Sequence, residues 1–90
     1  MGKEMIWTGK YAVAHFGTPD APTSRPCFKI AEGKGDTRKF TEGLARAEFY
    51  PTRISAELAM NAENEYLEDI NHPLAGRLCI VEIYAKKVEG

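Results

Sequence analysis

A change in hydrophobic periodicity at Pro51-Thr52 sets the limits on the fold. Before it, apolar and polar residues alternate in short runs, which is the period of half-buried strands. From Ile54 onward, apolar residues recur every three to four positions, which is the period of an amphipathic helix. Pro51 cannot donate to a strand ladder, and the hydroxyl of Thr52 is suited to cap a helix N-terminus. A helix is therefore predicted to begin here, after a strand-rich first half.

Three strands are predicted before the helix, over residues 10–16, 27–32 and 37–50. The first strand extends back to Ile6 across Gly9, because a glycine inside a strand pattern indicates a bulge or a bend. The third strand carries an interruption of its own, at a glycine in its middle. The second and third strands are joined by a tight turn over residues 33–36, whose two glycines supply positive φ.

Residues 17–26 are predicted to form a loop between the first two strands. Three prolines lie in this segment, and proline neither donates to a ladder nor continues a helix. A connection of this length is long for a hairpin, and long loops are more often functional. Asp20 and Arg25 are therefore secondary candidates for partner binding.

The helix is predicted to turn an apolar stripe toward the sheet and to end before Asn71-His72-Pro73, because the residue before a proline avoids helical geometry. The last strand is predicted over residues 77–88, and its apolar character on both faces indicates a central position in the sheet. The residues of the predicted stripe are Ile54, Leu58, Ala59, Ala62, Tyr66 and Ile70.

The order of elements predicts a single α+β domain over residues 1–90, with a three- to four-stranded antiparallel sheet and one helix packed on one face (β-β-β-α-β). The hydrophobic fraction of 43% and charged fraction of 28% are those of ordinary folded proteins. No run approaches the roughly 18 apolar residues of a membrane span, and no signal peptide is recognised. We expect a cytoplasmic protein that does not contact a membrane.

Candidate metal ligands and nucleophiles lack the spacing that their chemistry needs. His15, His72, Cys27 and Cys79 form no closely spaced pair of the kind that zinc sites use. Both cysteines lie in apolar runs and are expected to be buried free thiols, and His15 is expected to be half-exposed on its strand. The glycines at 33–36 lack the Lys-Ser/Thr pair of a phosphate loop. We therefore predict a non-enzyme without metal or cofactor.

Charge is distributed unevenly along the chain. Residues 1–53 hold nine basic and six acidic residues, whereas residues 54–90 hold three basic and seven acidic ones. Several acidic residues of the predicted helix lie toward the C-terminal end of that helix. The helix dipole favours cations there, so these residues destabilise the helix locally. A charge pattern of this kind is typical of a partner-binding face, although a solvated acidic surface is the alternative. The candidate binding residues on the helix are Glu57, Asn61, Asn64, Glu65, Glu68 and Asp69.

Two other functions remain open. A small nucleic-acid-binding module is possible through the basic second hairpin, with Lys34, Arg38 and Lys39 beside aromatic residues. The net charge of −1 shows no basic excess, which disfavours direct nucleic-acid binding. A self-associating structural phage protein is the other alternative, in which the last apolar strand, or an edge strand, pairs across a two-fold axis.

One family type resembles this chain over its second half. Residues 45–57 have the sequence Ala-Arg-Ala-Glu-Phe-Tyr-Pro-Thr-Arg-Ile-Ser-Ala-Glu, and residues 78–83 have the sequence Leu-Cys-Ile-Val-Glu-Ile. This arrangement is similar to that of small phage- and prophage-encoded α+β proteins, some of which are anti-CRISPR proteins. The resemblance implies a non-enzymatic inhibitor of a host defence complex. Its partner would be a host protein or ribonucleoprotein, such as a CRISPR effector, and it would be a monomer or homodimer.

Overall fold

A computed structural model of the protein describes residues 5–30 and 40–86. The strands form one antiparallel sheet in the order β3-β2-β1-β4, and α1 packs against β1 and β4. This arrangement confirms the predicted α+β class and the β-β-β-α-β order. The elements are β1 (Met5–Gly17), β2 (Pro22–Lys29), β3 (Phe40–Thr41), a 3-10 helix (Leu44–Arg46), α1 (Arg53–Asp69) and β4 (Cys79–Lys86).

β1 is the long central strand of the sheet, and it bends where the sequence indicates. Its pairing with β4 shifts register between Trp7 and Lys10, and Gly9 between them has φ of 78°. Only glycine adopts this left-handed conformation without steric cost. The predicted bulge at Gly9 and the extension of the strand to Ile6 are therefore confirmed.

The predicted loop over residues 17–26 is wrong beyond residue 21, because β2 already begins at Pro22. The actual connection is a tight turn in which Thr18 and Ala21 exchange backbone hydrogen bonds of 3.1 and 3.2 Å. β3 pairs with β2 only at Phe28 and Lys29. Among residues 5–30 and 40–86, nothing else pairs with that edge of the earlier part of β2, and a strand with an open edge tolerates prolines.

The predicted third strand over residues 37–50 is wrong in most of its described part. Only Phe40–Thr41 form a strand, and a 3-10 helix follows Gly43, where the sequence indicates an interruption. Two isolated bridges follow. Ala47 pairs with Ile30, the residue after β2, and Tyr50 pairs with Tyr11 of β1. Residues 37–39 and the predicted turn at 33–36 lie outside the described residues.

β4 is at the edge of the sheet and not at its centre, so the predicted central position is wrong. Its apolar character has a different cause. Ile80 lies opposite Val13 of β1, whereas Val81 and Ile83 point to the other face and pack against a cluster of buried residues there. Both faces of β4 therefore contact apolar neighbours, although only β1 is hydrogen-bonded to it within the described chain.

The two faces of the sheet carry separate cores. On one face, Val13 is fully buried, as is Leu67 of α1. The opposite face carries a buried cluster of Ala12, Ala14, Phe28 and Ala47, to which no residue of α1 belongs. The helix therefore covers the Val13 face, because side chains alternate between faces along a strand.

The start of α1 is determined by a capping box at Thr52. The Thr52 hydroxyl accepts a hydrogen bond from the Ser55 amide at 3.0 Å, and the Thr52 amide donates to the Ser55 hydroxyl at 3.3 Å. These bonds satisfy backbone amides that have no partner inside the helix. The predicted N-cap is confirmed, and the helix ends at Asp69, before Asn71, as predicted.

The predicted apolar stripe of α1 is wrong, because the helix is turned about its axis by roughly a third of a turn relative to the expectation. Ile54 and Leu58 are 69% and 66% exposed, and Ala62 and Ile70 are exposed as well. The buried residues of the helix are Ala56, Glu63 and Leu67. A second stripe with the same spacing is thus the one that faces the sheet.

Candidate partner-binding site

The solvent side of α1 combines an apolar and an acidic half on one surface. With 3.6 residues per turn, its residues follow one another along a single side of the helix. All of them are exposed, the apolar ones near the N-terminal end and the acidic ones near the C-terminal end. We call this surface the exposed helix face; it consists of Ile54, Leu58, Asn61, Ala62, Glu65, Glu68 and Asp69.

The acidic half lies at the negative end of the helix dipole. Within the described residues, no Lys or Arg forms an ion pair with Glu65, Glu68 or Asp69. Glu68 accepts a hydrogen bond from the Asn64 side-chain amide at 3.0 Å, which is a neutral donor. Each carboxylate here disfavours the helix by about 0.3–1 kcal/mol. These residues therefore reduce stability locally and have no compensating cation in the described fold.

Two of the predicted binding residues on the helix have roles inside the fold. Glu57 is half-buried and accepts a hydrogen bond from Arg53 Nε at 3.1 Å, one turn earlier. The side-chain Oδ1 of Asn64 accepts a hydrogen bond from the backbone amide of Gly76 at 2.5 Å, which ties α1 to the segment before β4. These contacts account for both residues, so they are weaker candidates than Asn61, Glu65 and Asp69.

The remaining predicted site residues are not part of the exposed helix face. Asp20 is exposed in the turn between β1 and β2, and Arg25 is exposed on β2. α1 packs mainly against β1 and β4, and neither residue is on one of these strands. The basic residues of the nucleic-acid alternative, Lys34, Arg38 and Lys39, lie outside the described residues.

A half-buried polar cluster, missed in the sequence, joins β2 to the segment before α1. Lys29 Nζ lies 2.6 Å from Glu48 Oε1, and the Tyr50 hydroxyl donates to the same oxygen at 2.8 Å. Burial and the bond to Glu48 raise the pKa of Tyr50 to about 12. For Lys29, burial is the largest single effect and lowers the pKa, but the hydrogen bonds and charge interactions with Glu48 and Tyr50 together outweigh it, so the pKa of Lys29 is raised.

This cluster is suited to holding the fold and not to catalysis. At neutral pH the lysine stays charged and the phenol stays protonated, so neither group is an activated base or nucleophile. The signal in the sequence was the alternation that puts Glu48 and Tyr50 on one face of an extended segment. The pairing with Lys29 is visible only when the two segments are side by side.

His15 is buried on the helix-covered face of β1, so its predicted half-exposed state is wrong. Its Nδ1 accepts a hydrogen bond from the Gly17 amide at 3.0 Å. Its ring packs edge-on against that of Phe40, with the ring centroids 4.7 Å apart. Burial lowers the pKa of His15, and the nearby His72 lowers it further. The neutral imidazole is therefore the form that fits the folded protein.

We expect the protein to lose stability as the pH falls through the range of histidine titration. The unfolded chain binds a proton to His15 near its ordinary pKa of 6.5, whereas the folded state resists that proton. The stability that neutral His15 contributes is fully present above the unfolded pKa. It declines as the pH falls from there toward the lower pKa of His15 in the folded protein. Urea unfolding at about pH 7.5 and about pH 5 measures it.

The variant His15→Asn is the control for this pH dependence. Its side-chain oxygen keeps an acceptor for the Gly17 amide but does not titrate. The difference in unfolding free energy between the two pH values should be smaller in this variant than in the wild type. An equal difference in both proteins would show that another group is responsible.

The other groups with potential chemistry do not form a site. Within the described residues, no group of three or more His, Cys, Asp or Glu side chains is arranged to hold a metal ion. Cys27 and Cys79 are free and half-buried, and burial raises the pKa of both thiols. No described helix has the length and apolarity that a bilayer-spanning segment requires.

An open groove of about 320 Å³ lies beside β4, and its lining is almost entirely apolar. The exception is the carboxylate of Glu82, which accepts a hydrogen bond from the Tyr84 hydroxyl at 3.0 Å. Small-molecule sites need several converging polar groups for orientation. The groove is lined by Met5, Pro26, Phe28, Leu44, Val81, Glu82, Ile83 and Tyr84.

Comparisons with known proteins give no relative. No protein-family model matches the chain. No curated protein matches it, and no solved structure matches it.

Proposed function

We propose that this protein is a non-enzymatic protein-binding module that inhibits a host defence complex, in the manner of an anti-CRISPR protein. Its exposed helix face would dock onto a basic surface of that complex and block it. The observation that carries the proposal is the alignment of two strongly exposed aliphatic residues, Ile54 and Leu58, with Glu65 and Asp69 on one helix face.

The apolar half supplies the contact energy. Ile54 and Leu58 are one turn apart, which is the spacing of anchor residues in helices that bind a groove. Removing such a side chain from water is worth about 1.5–3 kcal/mol when it is fully buried. Single exposed apolar residues are ordinary, but two at this spacing beside a charged cluster favour an interface.

The acidic half supplies the choice of partner. Carboxylates at the exposed end of α1 attract a basic surface and repel an acidic one, which speeds association with the correct partner and disfavours others. Surfaces that hold nucleic acid are basic, so a ribonucleoprotein effector fits this requirement. The similarity of residues 45–57 and 78–83 to phage-encoded α+β proteins supports a defence complex as the target.

The test uses a panel of purified, guide-loaded CRISPR effector complexes and measures cleavage of a matched DNA target. We expect the wild-type protein to inhibit at least one effector. Leu58→Ala should weaken inhibition about tenfold or more, because an anchor residue is lost. Glu65→Lys should slow association and reduce its salt dependence.

Two matched variants off the helix serve as controls. Leu44→Ala removes an exposed leucine from the 3-10 helix, and Glu42→Lys reverses an exposed charge beside β3. Both should inhibit as the wild type does. Failure of the wild type on every effector would overturn the inhibitor proposal. Equal inhibition by all four variants would overturn the role of the exposed helix face.

A further inference from the structure

We propose that β4 pairs edge to edge with β4 of a second copy of this chain, antiparallel and around a two-fold axis at Tyr84. The surface is separate from the exposed helix face, because α1 turns that face away from the sheet. The inference goes beyond the proposed function and does not depend on it.

The directions of the backbone groups show which ones are available. Tyr11 of β1 exchanges two hydrogen bonds of 2.8 Å with Tyr50, so its amide and carbonyl point away from β4. Its neighbours in β1 therefore point toward β4, because these groups alternate along an antiparallel strand. Lys10 and Ala12 face Ile83 and Val81 in this register.

The same alternation applies to β4 itself. The Ile83 carbonyl points toward β1 and also accepts the Thr8 hydroxyl at 2.7 Å. The amides and carbonyls of Ile80, Glu82 and Tyr84 then point to the outer edge. No described residue pairs with that edge. β4 thus offers a row of backbone donors and acceptors to another strand.

The two edges of the described sheet differ in length. Within the described residues, β3 forms one edge with only two residues, which is too short to offer a pairing surface. β4 forms the other edge with eight residues, contains no proline, and pairs with β1 through a bulge that belongs to β1. Proteins that stay monomeric usually protect long edges with prolines, bulges or charges. An edge of this length without proline favours strand pairing, and its two charges, Glu82 and Lys86, have opposite signs.

Charge selects the register of the pair. Outward-pointing residues must face one another, which an axis at Glu82, Ile83 or Tyr84 achieves. An axis at Glu82 would place two carboxylates opposite each other, which is destabilising. An axis at Tyr84 places Glu82 opposite Lys86 of the second copy, and by symmetry this ion pair occurs twice. An axis at Ile83 leaves Glu82 and Lys86 without an opposite charge across the axis. The register with the axis at Tyr84 is therefore favoured.

Large exposed side chains accompany this register. Tyr84 is 44% exposed and would face its own copy across the axis, where aromatic pairs add to strand pairing. Trp7, which is opposite Tyr84 in the β1–β4 ladder, is 48% exposed next to the same edge. The edge therefore offers apolar area as well as hydrogen bonds.

The test is a charge-exchange series measured by sedimentation equilibrium over roughly a hundredfold range of protein concentration. We expect the wild type to form a dimer. Glu82→Lys and Lys86→Glu should each weaken dimerisation about tenfold or more, because like charges then face each other twice. The double variant Glu82→Lys/Lys86→Glu should restore it. A wild type that stays monomeric, or single variants that dimerise normally, would overturn the proposal.

Amide hydrogen exchange provides a second measurement that does not depend on the substitutions. The amides of Glu82 and Tyr84 should become protected as the protein concentration rises, whereas the amides of Val81 and Ile83 are bonded to β1 and should be protected throughout. Dimerisation without this change would show that another surface is used. A monomeric protein would leave the proposed inhibitor function intact, because that function needs only the exposed helix face.

Discussion

Replacing Leu67 by alanine should lower the free energy of unfolding by about 2–5 kcal/mol, whereas Leu58→Ala should change it by less than about 0.5 kcal/mol. Leu67 is fully buried between α1 and the sheet, and its loss leaves a cavity. Leu58 is 66% exposed on the same helix, and leucine and alanine have similar helix propensities. The pair therefore compares two identical substitutions in one element that differ in burial.

Urea unfolding followed by circular dichroism measures both variants. Equal slopes of free energy against denaturant in all three proteins would show that only stability has changed. The reverse order, with Leu58→Ala the more harmful, would mean that α1 buries the stripe expected from its sequence. Leu58→Ala also connects stability with function, since it should keep the fold and lose inhibition.

Gly17→Ala should destabilise the protein by roughly 3 kcal/mol or more, because two separate costs meet at this position. Gly17 has φ of 84°, a left-handed conformation that costs an L-residue about 1–2 kcal/mol. A Cβ there would also overlap the Ala21 carbonyl oxygen and lie 2.9 Å from the Thr23 amide nitrogen. These are backbone atoms of the turn into β2, so they cannot move without disturbing strand pairing.

Gly9→Ala is the matched control for this prediction. Gly9 has φ of 78°, but a Cβ there would have no atom within 4 Å. Only the conformational cost remains, about 1–2 kcal/mol, and the reduced entropy of the unfolded chain offsets part of it. The difference between the two unfolding free energies isolates the steric overlap at Gly17. Equal losses would show that the turn adapts to a side chain.

The elements with local chemical signals were predicted correctly. Thr52 was recognised as a cap because its hydroxyl, the preceding proline and the following period all lie within a few residues. Gly9 was recognised as a bulge because a glycine that interrupts a strand pattern usually marks a bend in the strand. The candidate residues Asn61, Glu65, Glu68 and Asp69 were placed correctly on the solvent side of the helix.

The errors concern features that depend on distant neighbours. α1 contains two stripes with the same period, and the sequence does not say which one meets the sheet. The rotation of α1 about its axis depends on how the helix is connected to β1. Tyr50 is hydrogen-bonded to Tyr11 of β1, and only two residues separate Tyr50 from the start of the helix. The apolar residues on both faces of β4 indicated a central strand. In this fold, however, the edge strand β4 also has apolar neighbours on both faces.

Periodicity, caps and glycine positions in the chain alone establish an α+β domain with a helix capped by Thr52 and a strand bent at Gly9. These properties arise from each residue and its neighbours in sequence. The tertiary structure alone decides that Leu67 is buried and Leu58 exposed, that β4 is an edge, and that Lys29 meets Glu48 and Tyr50. Burial and pairing depend on which segments pack together, and the apolar pattern allows more than one such packing.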